Sequence, residues 1–257
     1  MTTHKAQIVT LTLWRFDSLA AKLWMFGQMG LARSAISSMP GLQFIKMVGT
    51  GAGAGFSTTP NFSRYGLFGG WPNKESAQLA LGNSTAIKRL SERACETVTL
   101  FLQPTQSRGL WSGVEPFHVG TEIEPKGPIV ALTRATLRAQ HIARFWSLVP
   151  AISSAVEDEE RQHFMLGLGE VPYRNQITFS IWSDEADMVR FSKASPTHGE
   201  AVRRAYREDW FAESLFARFN LLTVEGSWAE LAPVQPLLDG LVNDNRTQLD
   251  EMKKAVA

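Results

Sequence analysis

Of five histidines, His198 stands where an imidazole is best placed to act as a ligand. Ser195-Pro196-Thr197-His198-Gly199-Glu200 reads as a helix start, with Ser195 as N-cap and Pro196 in the first helical position. The positive end of a helix disfavours an imidazolium in the first turn, so the ring stays neutral. A neutral imidazole binds a metal or haem iron. Val202, Ala205 and Trp210 follow within reach of one apolar face. The alternative is a first-turn His bonded to a nearby backbone group. Other candidates are weaker. Glu159 and His163 stand four apart, but within a charge run, Glu157-Asp158-Glu159-Glu160-Arg161, that reads as a solvated helix end. Cys95 is the one cysteine, which excludes an internal disulfide, a CxxC pair and a cysteine-built zinc site, and it reads as a core or strand residue. Gly49-Thr50-Gly51-Ala52-Gly53-Ala54 matches a loose dinucleotide pattern. It leads into a second strand region with Pro60, where a phosphate site needs a helix, so it reads as a mobile β-hairpin loop. No GK[ST], HExxH or GxSxG is present.

The 257 residues carry 26 basic and 25 acidic side chains, a balance that predicts no nucleic-acid partner. Disorder is excluded by 44% hydrophobic residues. Eight Trp and 15 Phe against three Tyr suit a large apolar core or a cavity for a flat or greasy ligand. The start, MTTHKAQIVTLTLW, lacks the features of a secretory signal. The richest apolar run, Leu23-Trp24-Met25-Phe26, is too short to span a bilayer. A cytoplasmic protein is expected, which a lipid-soluble substrate would bring to a membrane surface.

The elements that must position His198 are repeated. Ile8 to Thr12 resembles Ile129 to Thr133, 121 residues on; Phe44 to Gly49 resembles Phe164 to Gly169, 120 on; Phe68 to Trp71 resembles Phe179 to Trp182, 111 on. Each half predicts a strand (Gln7–Trp14; Pro128–Leu137), a helix (Leu19–Ser38; Gln140–Val156) and two strands (Leu42–Val48, Tyr65–Trp71; His163–Gly169, Gln176–Trp182). A second helical region (Lys74–Arg93; Asp184–Arg207) and a last strand (Glu96–Gln103; Leu215–Val224) complete it. This βαββαβ order is ferredoxin-like. The expected fold class is therefore α+β, with tandem ferredoxin-like repeats burying their bare sheet faces against each other as a pseudo-dimeric α/β barrel. The predicted units are 1–108, a Gly- and Pro-rich linker at 109–127, a second unit at 128–232 and a helical tail at 233–257. In the third predicted strand of the second half, Gln176, Thr178, Ser180 and Trp182 alternate with Ile177, Phe179 and Ile181. The apolar set is expected to face the helices and the polar set to line a space between the sheets.

Several segments resemble the bacterial spheroidene monooxygenases, carotenoid 2-ketolases of purple phototrophs. Ser107-Arg108-Gly109-Leu110-Trp111-Ser112-Gly113-Val114-Glu115-Pro116-Phe117 is similar to their RGxWSGxEPF stretch, and Thr133 to Arg138 to their TRATIR segment. Gln176 to Trp182 resembles their QxTFSxW strand, and His198 to Phe219 their HxxA…WF…LFARF block. VTLTLWRF and GTGAGAGF fit as well, so the resemblance runs from about Ile8 to Val224.

The resemblance implies a haem b monooxygenase that hydroxylates and ketonises a terminal methylene of an acyclic carotenoid, with electrons from a donor such as ferredoxin. Haem enzymes with paired ferredoxin-like units, chlorite dismutases and aldoxime dehydratases, are similar in outline and take an axial His from a helix of the second unit. By that analogy His198 binds iron, with Trp210 beside the cofactor, and Gln176, Thr178 and Ser180 donate to bound oxygen. Arg134 or Arg138 pairs with a propionate or polarises the distal ligand. The other reading of both arginines is a strand end with salt bridges to a helix. Two alternatives stand beside this one: a haem-dependent aldoxime dehydratase, and a cofactor-free dimeric α/β-barrel oxygenase or ligand-binding protein. Further pairing into a homo-oligomer is left open.

Overall fold

The computed structural model describes residues 7–53, 57–121, 127–157, 162–194 and 203–240, with backbone alone at 150–157 and 192–194. The first half runs β1 (Ile8–Arg15), α1 (Leu19–Ser37), β2 (Phe44–Gly51), β3 (Pro60–Trp71), α2 (Lys74–Asn83), α3 (Thr85–Ser91), β4 (Glu96–Gly109). The second runs β5 (Ile129–Leu137), α4 (Ile142–Glu157), β6 (Gln162–Gly169), β7 (Asn175–Trp182), α5 (Glu185–Ala194), β8 (Phe211–Ser227). Local chemistry starts the helices of the first half. Ser18 caps α1 by accepting from Ala21 N, Asn73 caps α2 through Ser76 N, and Ser84 both ends α2 and caps α3. Ser84 thus divides the region expected as one helix over Lys74–Arg93.

The eight strands close into one antiparallel barrel in the order β1-β3-β2-β6-β7-β5-β8-β4. Pairing confirms the repeat residue by residue. Thr12 opposes Leu67 in the first half, and Thr133 opposes Thr178 in the second; Met47 opposes Leu67, and Gly167 opposes Thr178. The seams between the halves are unequal. β4 and β8 pair from Thr97–Ser227 to Gly109–Leu215, whereas β2 and β6 meet only at Gly49–Gly169 and Thr50–Leu168. The last strand of each half is longer than expected because it builds the long seam. Gly109, at φ +107°, has no room for a side chain, since a Cβ there would lie 2.2 Å from the carbonyl oxygen of Ser214.

The barrel interior is solid. Val9, Leu11, Phe44, Val48, Phe68, Leu100, Val130, Leu132, Phe164, Ile177, Phe179, Ile181, Ala217 and Phe219 fill it from both halves. The connector contributes too. Trp111 and Phe117 are buried among Phe44, Phe68 and Phe219, with ring centroids 5.1–5.7 Å apart at Phe44–Trp111, Phe68–Trp111, Phe44–Phe117 and Phe117–Phe219. The segment expected as a linker is thus also a stopper. This reverses the expected faces of β7. Ile177, Phe179 and Ile181 point inward, and Gln176, Thr178, Ser180 and Trp182 point outward, toward the helical layer, where Trp182 packs with Met188 of α5. A closed barrel of eight strands has room inside only for side chains, so the inner set must be apolar. No planar cofactor fits between the sheets. Among the described residues no helix is long and apolar enough to cross a membrane.

Candidate cofactor and substrate site

The outer faces of the two halves differ. In the first, Trp14, Met47, Tyr65 and Leu67 pack beneath α1–α3 with Phe16, Met25, Ile36, Trp71 and Leu90 in a second core. The repeat puts Ala135, Gly167, Gln176 and Thr178 at the positions of those first four residues. Every change removes bulk. Among the described residues, the corresponding packed cluster of the second half comprises Ile129, Ala131, Trp182 and Met188, with Val189 and Phe191 of α5 against it. Thr133 lies on β5, flanked by β7 and β8, yet its side is exposed. Its outward neighbours Ala135, Gln176, Thr178 and Phe216 are only half-buried. Among the described residues, the helix side of the second sheet is thus a floor of smaller, partly exposed side chains where the first half carries Trp14, Met47, Tyr65 and Leu67.

Ser180 is buried and accepts a hydrogen bond from Trp182 Nε1 at 2.9 Å, so its hydroxyl already has a partner. Gln176 and Thr178 share its face, two residues apart. Gln176 also lines a cavity of about 250 Å³ over the short β2–β6 seam, with Gly49, Tyr65, Phe26 and Met29 of α1, and Trp146 of α4. Tyr65 is the repeat equivalent of Gln176. Its hydroxyl is buried and has no hydrogen-bond partner among the described residues, and burial raises its pKa, keeping it a neutral donor.

Arg134 points to the end of the barrel interior, with its side chain 3% exposed. Its guanidinium meets Glu170 Oε2 at 3.0 Å and Glu213 Oε1 at 2.5 Å and lies 5.2 Å from the Trp111 ring. Glu170 also accepts from Trp111 Nε1 at 2.8 Å and pairs with Lys46 Nζ at 3.2 Å. Glu213 accepts from the backbone N–H groups of Ser112 and Gly113. Burial pushes the Glu213 carboxyl up, but those two N–H groups and Arg134 outweigh it and hold its pKa below the ordinary value. This network seals the barrel end and fixes the loop carrying Trp111. Glu170, Glu213, Lys46 and Trp111 escaped the sequence reading as a group. The one signal was an acid, Glu213, in step with the inward Leu215, Ala217 and Phe219.

Arg138 lies at the surface, donating to the Asp209 carbonyl at 3.1 Å and pairing with its carboxylate at 3.0 Å. Trp210 is buried, stacked on His141 at 5.7 Å, with Arg144 over its ring and Nε1 donating to Glu208 at 3.0 Å. Hydrogen bonds from Arg204 and Trp210 hold the Glu208 carboxyl below its ordinary pKa. The structure brings Gln176, Thr178 and Ser180 together. It separates Arg134 from them, across the sheet and at the barrel end. His198 lies outside the described residues.

The donor set also bears on a cofactor. Among the described residues, no three His, Cys, Asp or Glu side chains come together. A metal arriving in a flat macrocycle brings four donors of its own and needs one from the protein. A broad floor of small residues suits such a group.

The architecture is that of paired ferredoxin-like units closed into a barrel. Two aldoxime dehydratase crystal structures superpose with TM-scores of 0.58 at 11% and 12% identity, covering 84% of this chain and 82% and 80% of theirs. At that identity they share the fold alone. The spheroidene monooxygenase of Rhodobacter capsulatus is 39% identical over 229 residues, spanning 88% of this chain and 95% of that protein. The spheroidene monooxygenase of Rubrivivax gelatinosus is 32% identical over 209 residues, spanning 81% and 80%. The chain belongs to the spheroidene monooxygenase family. No family profile matches it.

Proposed function

We propose that this chain is a haem-dependent monooxygenase that oxidises a terminal methylene of an acyclic carotenoid to a ketone. The observation that carries the cofactor is the loss of bulk on the second sheet's helix side, from Trp14, Met47, Tyr65 and Leu67 to Ala135, Gly167, Gln176 and Thr178. The substrate and reaction rest on the relatives, which are named for spheroidene. His198, which the sequence places at the start of a predicted helix, would hold the iron in this reading. Bound, haem b supplies an iron that activates dioxygen with electrons from a reductant such as ferredoxin. Each hydroxylation consumes one dioxygen, two electrons and two protons and releases one water; two at the same carbon give a geminal diol, which loses water to the ketone.

The chain's own side chains set the surroundings. Gln176 and Thr178 present polar groups on an otherwise small and apolar floor, where they hydrogen-bond the oxygen side of the reaction. Ser180 is held by Trp182 and fixes the floor's edge. Arg138, at the surface and paired with Asp209, would be the residue to hold a cofactor carboxylate. Trp210 packs the neighbouring wall. Arg134 acts as a positioning residue that anchors the Trp111 loop.

An absorption spectrum of the purified protein titrated with haem tests the cofactor. A Soret band that shifts or vanishes in His198→Ala is expected; a protein that stays colourless with added haem overturns the reading. Ketone formation from a carotenoid with reductant and oxygen is expected, and nitrile formation from an aldoxime in its place would move the chain to the other chemistry of this fold.

A further inference from the structure

The cavity over the short seam lies where the two halves touch least. Gly49 and Gly169 pair there across the barrel, so the floor is backbone. Phe26 and Met29 of α1 form one wall, Trp146 of α4 the other, and Gln176 connects the trough to the floor proposed for the cofactor. Two features have no use within the fold. Tyr65 lines the trough, and its hydroxyl is buried without a partner among the described residues. α1 also exposes Leu19, Leu23 and Phe26, spaced four and three apart on one stripe, at 73%, 66% and 60%. Phe26 belongs to both stripe and trough and meets the half-exposed Phe62 edge-on at 5.6 Å. The helix carries Lys22 and Arg33 and no acidic residue. Asp17 stands just before the helix, but within it the apolar stripe is accompanied only by cations, which is complementary to an anionic bilayer.

We propose that the trough between α1 and α4 is the entry passage for an elongated apolar chain bearing an oxygen at its leading end, which leaves a bilayer on which the exposed stripe of α1 rests. The inference deepens the carotenoid reading and does not depend on haem. A volume of about 250 Å³ takes the end of such a chain, and the rest stays along the stripe. Tyr65 donates to the leading oxygen, which an all-hydrocarbon chain lacks. The chain end then lies beside Gln176.

The test uses the full chain, anionic phosphatidylglycerol vesicles and two polyenes, lycopene and a hydroxylated acyclic carotenoid. Protein is sedimented with vesicles, and polyene retained by protein is measured after gel filtration. Gly49→Phe puts a ring at the trough, where a Cβ meets nothing within 4 Å; an unchanged melting temperature verifies that the fold is kept. Retained polyene should fall about tenfold or more in Gly49→Phe, with vesicle binding intact. Vesicle binding should fall about tenfold or more in Leu23→Ser/Phe26→Ser. Tyr65→Phe should lose retention of the hydroxylated polyene and keep that of lycopene. Gly49→Phe retaining polyene like the wild type, the stripe variant sedimenting like the wild type, or no retention by the wild type would each overturn the proposal. Failure to bind haem with both assays as expected would overturn the cofactor reading and leave this one standing.

Discussion

The two halves share a strand pattern and differ in what lies between sheet and helices. In the first half that layer is a second core, with Trp14 and Leu67 buried to within 2% of full burial. In the second, equivalent positions hold Ala135 and Thr178, and Thr133 is exposed on a strand paired on both sides. One copy of the unit keeps the stability of a filled layer, and in the proposed reading the other gives that layer to ligands. The barrel interior, common to both, holds them together. Duplication thus separates two demands that a single unit cannot meet with one set of side chains, because packing and vacancy at the same site exclude each other.

The sharpest test copies the first half into the second. Thr178→Leu with Ala135→Leu should lower turnover by about 100-fold or more while leaving the melting temperature unchanged or raised, because the new side chains occupy ligand space. A variant of full activity would break the comparison. Next comes the barrel end, outside the differing layer. Arg134→Met leaves Glu170 and Glu213 without their shared cation, and urea unfolding should show a loss of about 3–5 kcal/mol. The reciprocal exchange, Leu67→Thr, should cost about 2–3 kcal/mol in the same measurement, with haem absorption retained. A small loss there would mean that the first layer is not a core. The smallest effect is pH-dependent. The folded pKa of Glu213 is lowered, so its stabilisation is present above the unfolded value and is lost as pH falls through the folded one. Melting temperatures from pH 7 to pH 3 should therefore fall less steeply in Glu213→Gln, which starts from a lower value.

The repeat was legible because strand register is set by residue spacing. The offsets of 121, 120 and 111 between the halves reappear as matching strand pairs. Which face of β7 turns inward was not legible. Alternation separates Gln176, Thr178 and Ser180 from Ile177, Phe179 and Ile181, but either set can in principle face a partner layer. Closure into a barrel decided it, and closure depends on strands far apart in the sequence. The connector's glycines and prolines signalled a boundary, and its aromatic residues, Trp111 and Phe117, were hidden by that signal. The sequence offers Arg134 as a partner for a propionate or distal ligand, or as a strand end with salt bridges to a helix. Its partners Glu170 and Glu213 stand 36 and 79 residues away, a separation no local pattern spans.

Trp111 and Phe117 reach rings of both halves from the one segment that joins them. A hinge between the halves would have to extract two aromatic side chains from a dry interior before it could swing. Any opening during turnover would therefore fall to the helices riding outside the staves.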